Sequence, residues 1–91
     1  MITKKARRFR TWIFAYRKAA GITLRRLRAD AGLSQEKLCA ELQRRGCDIG
    51  RTTYAKYEAG ELNIRASVII ELKKIYGCQY DDFFVGLDTQ E

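Results

Sequence analysis

Arg51, Thr52, Ala55 and Lys56 fall together in the stretch "IGRTTYAKYEAGE". Wound into a helix at 100° per residue they share one side, while Tyr54 and Tyr57 take the opposite one. Long donors beside very small residues suit a helix that must fit closely against a surface rich in acceptors. The Arg51 guanidinium and the Lys56 ammonium can reach guanine N7 and O6 in a DNA major groove, and the Thr52 methyl can meet a thymine methyl. Ala55 and Thr52 leave room for that approach, and the two tyrosines serve as the inward anchor. A solvated surface helix carries a similar charge pattern, so this face gains meaning only from the elements around it.

Glycines punctuate the chain and no proline interrupts it. Gly21, Gly32, Gly46, Gly60, Gly77 and Gly86 each follow a stretch with helix-like apolar spacing, which predicts about five helices, each closed by a left-handed glycine, and no strand. In the first stretch, about residues 3–20, Ile2, Ala6, Phe9, Ile13, Tyr16 and Ala20 recur every three or four residues and line one face. A second helix is expected to start at Thr23 as N-cap and to turn Leu24, Leu27 and Ala31 inward. A third opens at Ser34, whose hydroxyl can accept from the free amides of the first turn, and buries Leu38, Cys39 and Leu42. The quoted helix follows, from near Arg51 to Gly60. Then "IRASVIIELKKIYG" places Val68, Ile69, Leu72, Ile75 and Tyr76 at helical spacing, and "YDDFFVGL" offers a short last helix that packs Phe83 and Phe84.

The 91 residues suffice for one domain, since a second core would be too small to offset its own ordering entropy. Three widely spaced cysteines and no histidine argue for reduced, buried thiols and against a metal site. Without histidine, a phosphate-cradling glycine loop or a cysteine beside an evident base, catalysis has no candidate residues and no cofactor is implied. The charge is uneven. Residues 1–29 hold ten Lys or Arg and no acid, and the remainder holds eight against eleven acids. Such an asymmetry points to an anionic partner for the front of the chain, with a solvated basic tail as the plain alternative. The apolar centre Trp12 to Tyr16 is too short for a secretory core or a membrane span, so the chain is expected to stay in the cytoplasm.

Three blocks in order resemble the phage-repressor-like helix-turn-helix family, the Xre/Cro group: "LRRLRADAGLSQEKL", "IGRTTYAKYEAGE" and "VIIELKKIYGCQYDDFF". The resemblance covers about two-thirds of the chain. It implies an all-α, five-helix lambda-repressor-like domain of bacterial or phage type, here with an extra basic amphipathic helix at the N-terminus. The implied function is a sequence-specific regulator of transcription, a repressor in the first instance, that binds double-stranded DNA as a homodimer. Carried over by position, Arg51, Thr52, Ala55 and Lys56 face the bases, Gln35 and Thr53 touch the backbone, and Arg28 with Glu58 forms a structural ion pair. The chain departs from the family pattern at Ala59, where asparagine is customary, at Ile64, where proline is common, and in a longer turn over residues 43–48.

The domain organisation that follows is a basic N-terminal extension over residues 1–21, a helix-turn-helix domain over residues 22–86 and a short acidic tail over residues 87–91. For the extension three readings compete: a basic arm on phosphates, a helix packed on the domain or on a second subunit, and a disordered lead-in. The favoured one packs its apolar stripe and turns Lys4, Lys5, Arg7, Arg8 and Arg10 toward the DNA backbone. Attachment to a membrane surface through Trp12, Phe14 and the arginines is a weaker idea, and no membrane partner is expected. The alternative from a different class is a protein-interaction module, antitoxin-like or an adaptor, whose helix-turn-helix surface binds another protein and holds DNA only weakly.

Overall fold

Residues 4–30 form one uninterrupted helix where the glycine pattern predicts two. The computed structural model describes the backbone of residues 4–84 and the side chains of residues 15–84. Four α-helices and one 3-10 helix make up these residues: α1 (Lys4–Asp30), α2 (Gln35–Arg44), α3 (Arg51–Glu58), α4 (Ala66–Tyr76) and the 3-10 helix Tyr80–Phe84. No strand occurs among them. The expected break at Gly86 lies outside the described residues.

Gly21 is where the prediction and the structure part. It sits in mid-helix, and a Cβ built there would lie 2.4 Å from the Glu58 carbonyl oxygen and 2.9 Å from that of Tyr57. Its role is therefore close approach of α1 to the end of α3, not termination of a helix. Thr23, expected as an N-cap, is a buried residue inside α1. Lys18 and Arg17 strengthen the same crossing: Lys18 Nζ donates to the Ala59 carbonyl at 2.9 Å and Arg17 Nε donates to Asn63 Oδ1 at 2.9 Å. At 1.5 Å per residue α1 is about 40 Å long, which accounts for most of the 45 Å long axis of the molecule.

The other glycine-marked helix ends are in place, with Gly32, Gly46, Gly60 and Gly77 at positive φ. The closure of α3 shows how. Gly60 N–H donates to Tyr57 O at 3.1 Å and Glu61 N–H to Lys56 O at 2.9 Å, the paired bonds of a Schellman cap, which need a left-handed residue at Gly60. The end of α2 repeats the pattern through Gly46 and buries Cys47 behind it.

The core lies where all the elements converge. Leu24, Leu38, Leu42, Tyr54, Val68, Leu72 and Phe83 are its largest fully buried side chains, each stabilising by about 1.5–3 kcal/mol relative to exposure. Leu27, Ile69, Ile75 and Tyr76 pack at its edge. Two apolar expectations fail at the periphery. Ala31 is exposed in the turn after α1. Phe84 is partly exposed and stacks on Tyr16 of α1, with centroids 5.9 Å apart. Cys39 and Cys47 are buried free thiols, whereas Cys78 is half-buried.

Candidate functional site

Two short helices and the turn between them set the site. Ser34 caps α2, its Oγ accepting from the Lys37 amide at 3.0 Å, so Gln35 starts the helix at a fixed place. The connection to α3 is held by Gln43, whose Nε2 donates to the Ile49 carbonyl at 2.9 Å, and by burial of Ile49 itself. Gly50 then opens α3. Tyr54 and Tyr57 are turned inward as their spacing predicts, edge to face with centroids 6.4 Å apart. This leaves Arg51, Thr52 and Lys56 exposed and Ala55 half-exposed on the other side.

The inner end of α3 is locked by a carboxylate. Glu58 Oε2 accepts from Arg28 Nε at 2.7 Å and Oε1 accepts from Arg28 Nη2 at 3.0 Å, a two-pronged contact that joins α3 to α1. Gln35 Nε2 adds a bond to Glu58 Oε1 at 3.1 Å, and Arg25 stands 3.7 Å from the same oxygen. Arg28 Nη1 also donates to the Leu33 carbonyl at 3.0 Å. Burial alone would raise the Glu58 pKa, but the hydrogen bonds from Arg28 and Gln35 outweigh it and hold the carboxyl below its ordinary value. The Arg28 guanidinium is correspondingly pushed up by its bond to Glu58. The Tyr54 and Tyr76 hydroxyls are buried beside this network without a hydrogen-bond partner among the described residues. Burial raises both phenols, Tyr76 to about 12.

Outside this lock lies an open groove of about 460 Å³ lined by Gln35, Arg51, Thr52, Ala55, Lys56, Ala59 and Glu61. Its cations are uncommitted. Arg28, Arg44, Arg45 and Lys74 all meet carboxylates, and Lys73 lies over the Tyr80 ring. The side chains of Arg51 and Lys56 make no hydrogen bond or ion pair among the described residues, nor do those of Arg26, Lys37 and Arg65. An unpaired cation on a small-residue face keeps its donors free for an outside acceptor.

The structure thus brings Arg51, Thr52, Ala55, Lys56 and Gln35 to one groove. Thr53 is half-buried and does not line it. Lys4, Lys5, Arg7, Arg8 and Arg10 belong to α1, but their side chains lie outside the described residues. Sequence reasoning missed two groove residues, Ala59 and Glu61, and the contact of Gln35 with Glu58. In the sequence Gly60 marks only a helix end, although the left-handed turn it makes is what folds Glu61 back beside α3. The Gln35 contact depends on tertiary packing and left no local trace.

Among the described residues no helix is long and apolar enough to cross a membrane, and no cluster of three metal-ligating side chains occurs. The family model of the helix-turn-helix domain matches residues 19–83. No curated protein and no solved structure matches the chain.

Proposed function

The chain belongs to the helix-turn-helix domain family, and from that premise we propose that it is a sequence-specific, double-stranded DNA-binding regulator of transcription, an Xre/Cro-like repressor. In this reading α3 enters the major groove and the start of α2 abuts the backbone. Arg51 and Lys56 donate to base acceptors, while Thr52 and Ala55 keep the helix slim enough to reach them. Gln35 and Thr53 serve the flanking backbone. Lys4, Lys5, Arg7, Arg8 and Arg10 neutralise phosphates from the first turns of α1. Residues 1–21 are then a basic extension to the 22–86 domain, joined to it by α1, which runs from Lys4 through Asp30. The active species is a two-fold homodimer working in the cytoplasm.

The observation that carries this reading is the groove itself, which combines exposed, unpaired Arg51 and Lys56 with two small side chains on a helix anchored from behind. A surface helix with no such role would gain by pairing its cations with acids, as α2 does through Arg44, Arg45 and Glu41. Selection of bound sites from random duplexes tests it. The expected result is a defined half-site, repeated at a spacing of about one helical turn of DNA if the dimer is correct. Retention of all duplexes alike, or of none, refutes sequence-specific binding.

A further inference from the structure

We propose that Glu61 determines base selectivity in the α3 groove, accepting from an exocyclic amine, cytosine N4 or adenine N6, and rejecting guanine and thymine where it meets the base edge. The inference rests on the DNA-binding reading above and adds to it a residue that works by exclusion.

Glu61 is the one carboxylate among the residues that line the groove. Its backbone has little freedom. The Glu61 amide donates to Lys56 O at 2.9 Å, and Gly60 before it is pressed on α1, where a Cβ would fall 2.8 Å from Lys18 Cδ and 3.1 Å from Lys18 Cα. On the other side Asn63 accepts from Arg17 and Ile64 is buried. The side chain, by contrast, is exposed and makes no hydrogen bond or ion pair with any described residue, Lys56 and Arg51 included. A fixed backbone thus holds a free carboxylate at the rim of a face whose other charges are positive.

Against a polyanion such a group is unfavourable unless it meets a donor, because every phosphate and most major-groove atoms are acceptors. The donors available there are cytosine N4 and adenine N6, and carboxylates accept from the former in direct readout. Guanine presents N7 and O6 and thymine presents O4, so an ionised carboxylate at those bases faces acceptors with nothing between them. Arg51 and Lys56 carry the opposite preference, toward guanine. The groove therefore reads two kinds of edge, and Glu61 lowers binding to duplexes that supply only acceptors.

The test uses the full chain on the duplex obtained by selection and on its single-base variants. Wild-type protein is expected to discriminate about tenfold against guanine or thymine at one position beside those governed by Arg51. Glu61→Ala should remove most of that discrimination and tighten binding to random duplex by about threefold at low salt. Glu61→Gln, whose amide both donates and accepts, should broaden the preference at that same position without affecting the others. Since the cap bond comes from the backbone amide, both variants keep the fold, which circular dichroism verifies. An unchanged base preference in both variants overturns the proposal while leaving the DNA reading intact, provided Arg51→Ala still relaxes its own position. If folded wild-type protein retains no duplex, both fall together.

Discussion

Gly21 of α1 faces the carbonyl of Glu58, so near that a Cβ at residue 21 would come within 2.4 Å of the oxygen. Two effects of opposite sign meet at this point. Alanine in a helix interior is favoured over glycine by about 0.5–1 kcal/mol, whereas forcing an extra carbon into a packed contact costs about 1–3 kcal/mol. Because the obstacle is backbone and not a flexible side chain, the second effect should win. Gly21→Ala is expected to destabilise the protein by about 1–2 kcal/mol net, measured by urea unfolding. A stabilised variant would show that α1 and α3 are not so close.

Removing Arg28 should leave the Glu58 carboxylate, 2 % exposed, with the Gln35 hydrogen bond and the more distant Arg25, 3.7 Å away. Breaking a fully buried pair costs about 3–5 kcal/mol. Arg28 is partly solvated, so Arg28→Met should cost nearer about 2–3 kcal/mol, and Glu58→Gln less, since the guanidinium it leaves behind keeps some solvent and its bond to the Leu33 carbonyl. A double-mutant cycle separates the coupling from the two single effects.

The same carboxylate makes stability depend on acid. Its folded-state pKa is lowered from the ordinary 4.5, so its contribution is complete above about pH 4.5 and is lost as pH falls through the lower folded value. Half-exposed Glu41 is held at about 2 by Arg44 and Arg45. Solvent screens the Glu41 pairs more than the buried Glu58 pair, so Glu58→Gln should flatten the acid limb of the stability curve more than Glu41→Gln, as followed by thermal unfolding between neutral and acid pH. Equal curves for Glu58→Gln and wild type would show that the pair is not formed in solution.

Arg51→Ala should weaken binding to the selected site by about 1–3 kcal/mol and relax base choice at one position. Competition with single-base variants reads both effects. If affinity and selectivity stay as they were for Arg51→Ala and Thr52→Ala, the transcription-factor reading is wrong.

Replacing Lys4, Lys5, Arg7, Arg8 and Arg10 by Gln should weaken all duplexes alike. The slope of log affinity against log salt should fall by about 0.9 for each phosphate no longer neutralised. An unaltered slope would take the N-terminal turns out of the interface.

Much of this architecture could be read from local chemistry. Gly32, Gly46, Gly60 and Gly77 adopt positive φ, and Ser34 caps as its position suggests, because helix ends depend on a few neighbouring residues. Tyr54 and Tyr57 point inward because 100° spacing separates them from Arg51, Thr52 and Lys56. Gly21 misled because the same residue type serves two purposes, and only knowledge of what packs against it tells a stop from a close crossing. Thr23 misled with it, a good cap residue being also a tolerable buried one. The Gln35 bond to Glu58 joins residues 23 positions apart, and nothing in either neighbourhood foretells the other.

Because α1 passes Gly21 without a break, the molecule has no joint between its first turns and the crossing that seats α3. A load applied near Lys4 travels down a stiff rod to the point where Lys18 grips Ala59. Whatever grasps the front of the protein therefore steers the angle of α3, and a glycine pair or proline introduced ahead of Tyr16 would uncouple the two ends.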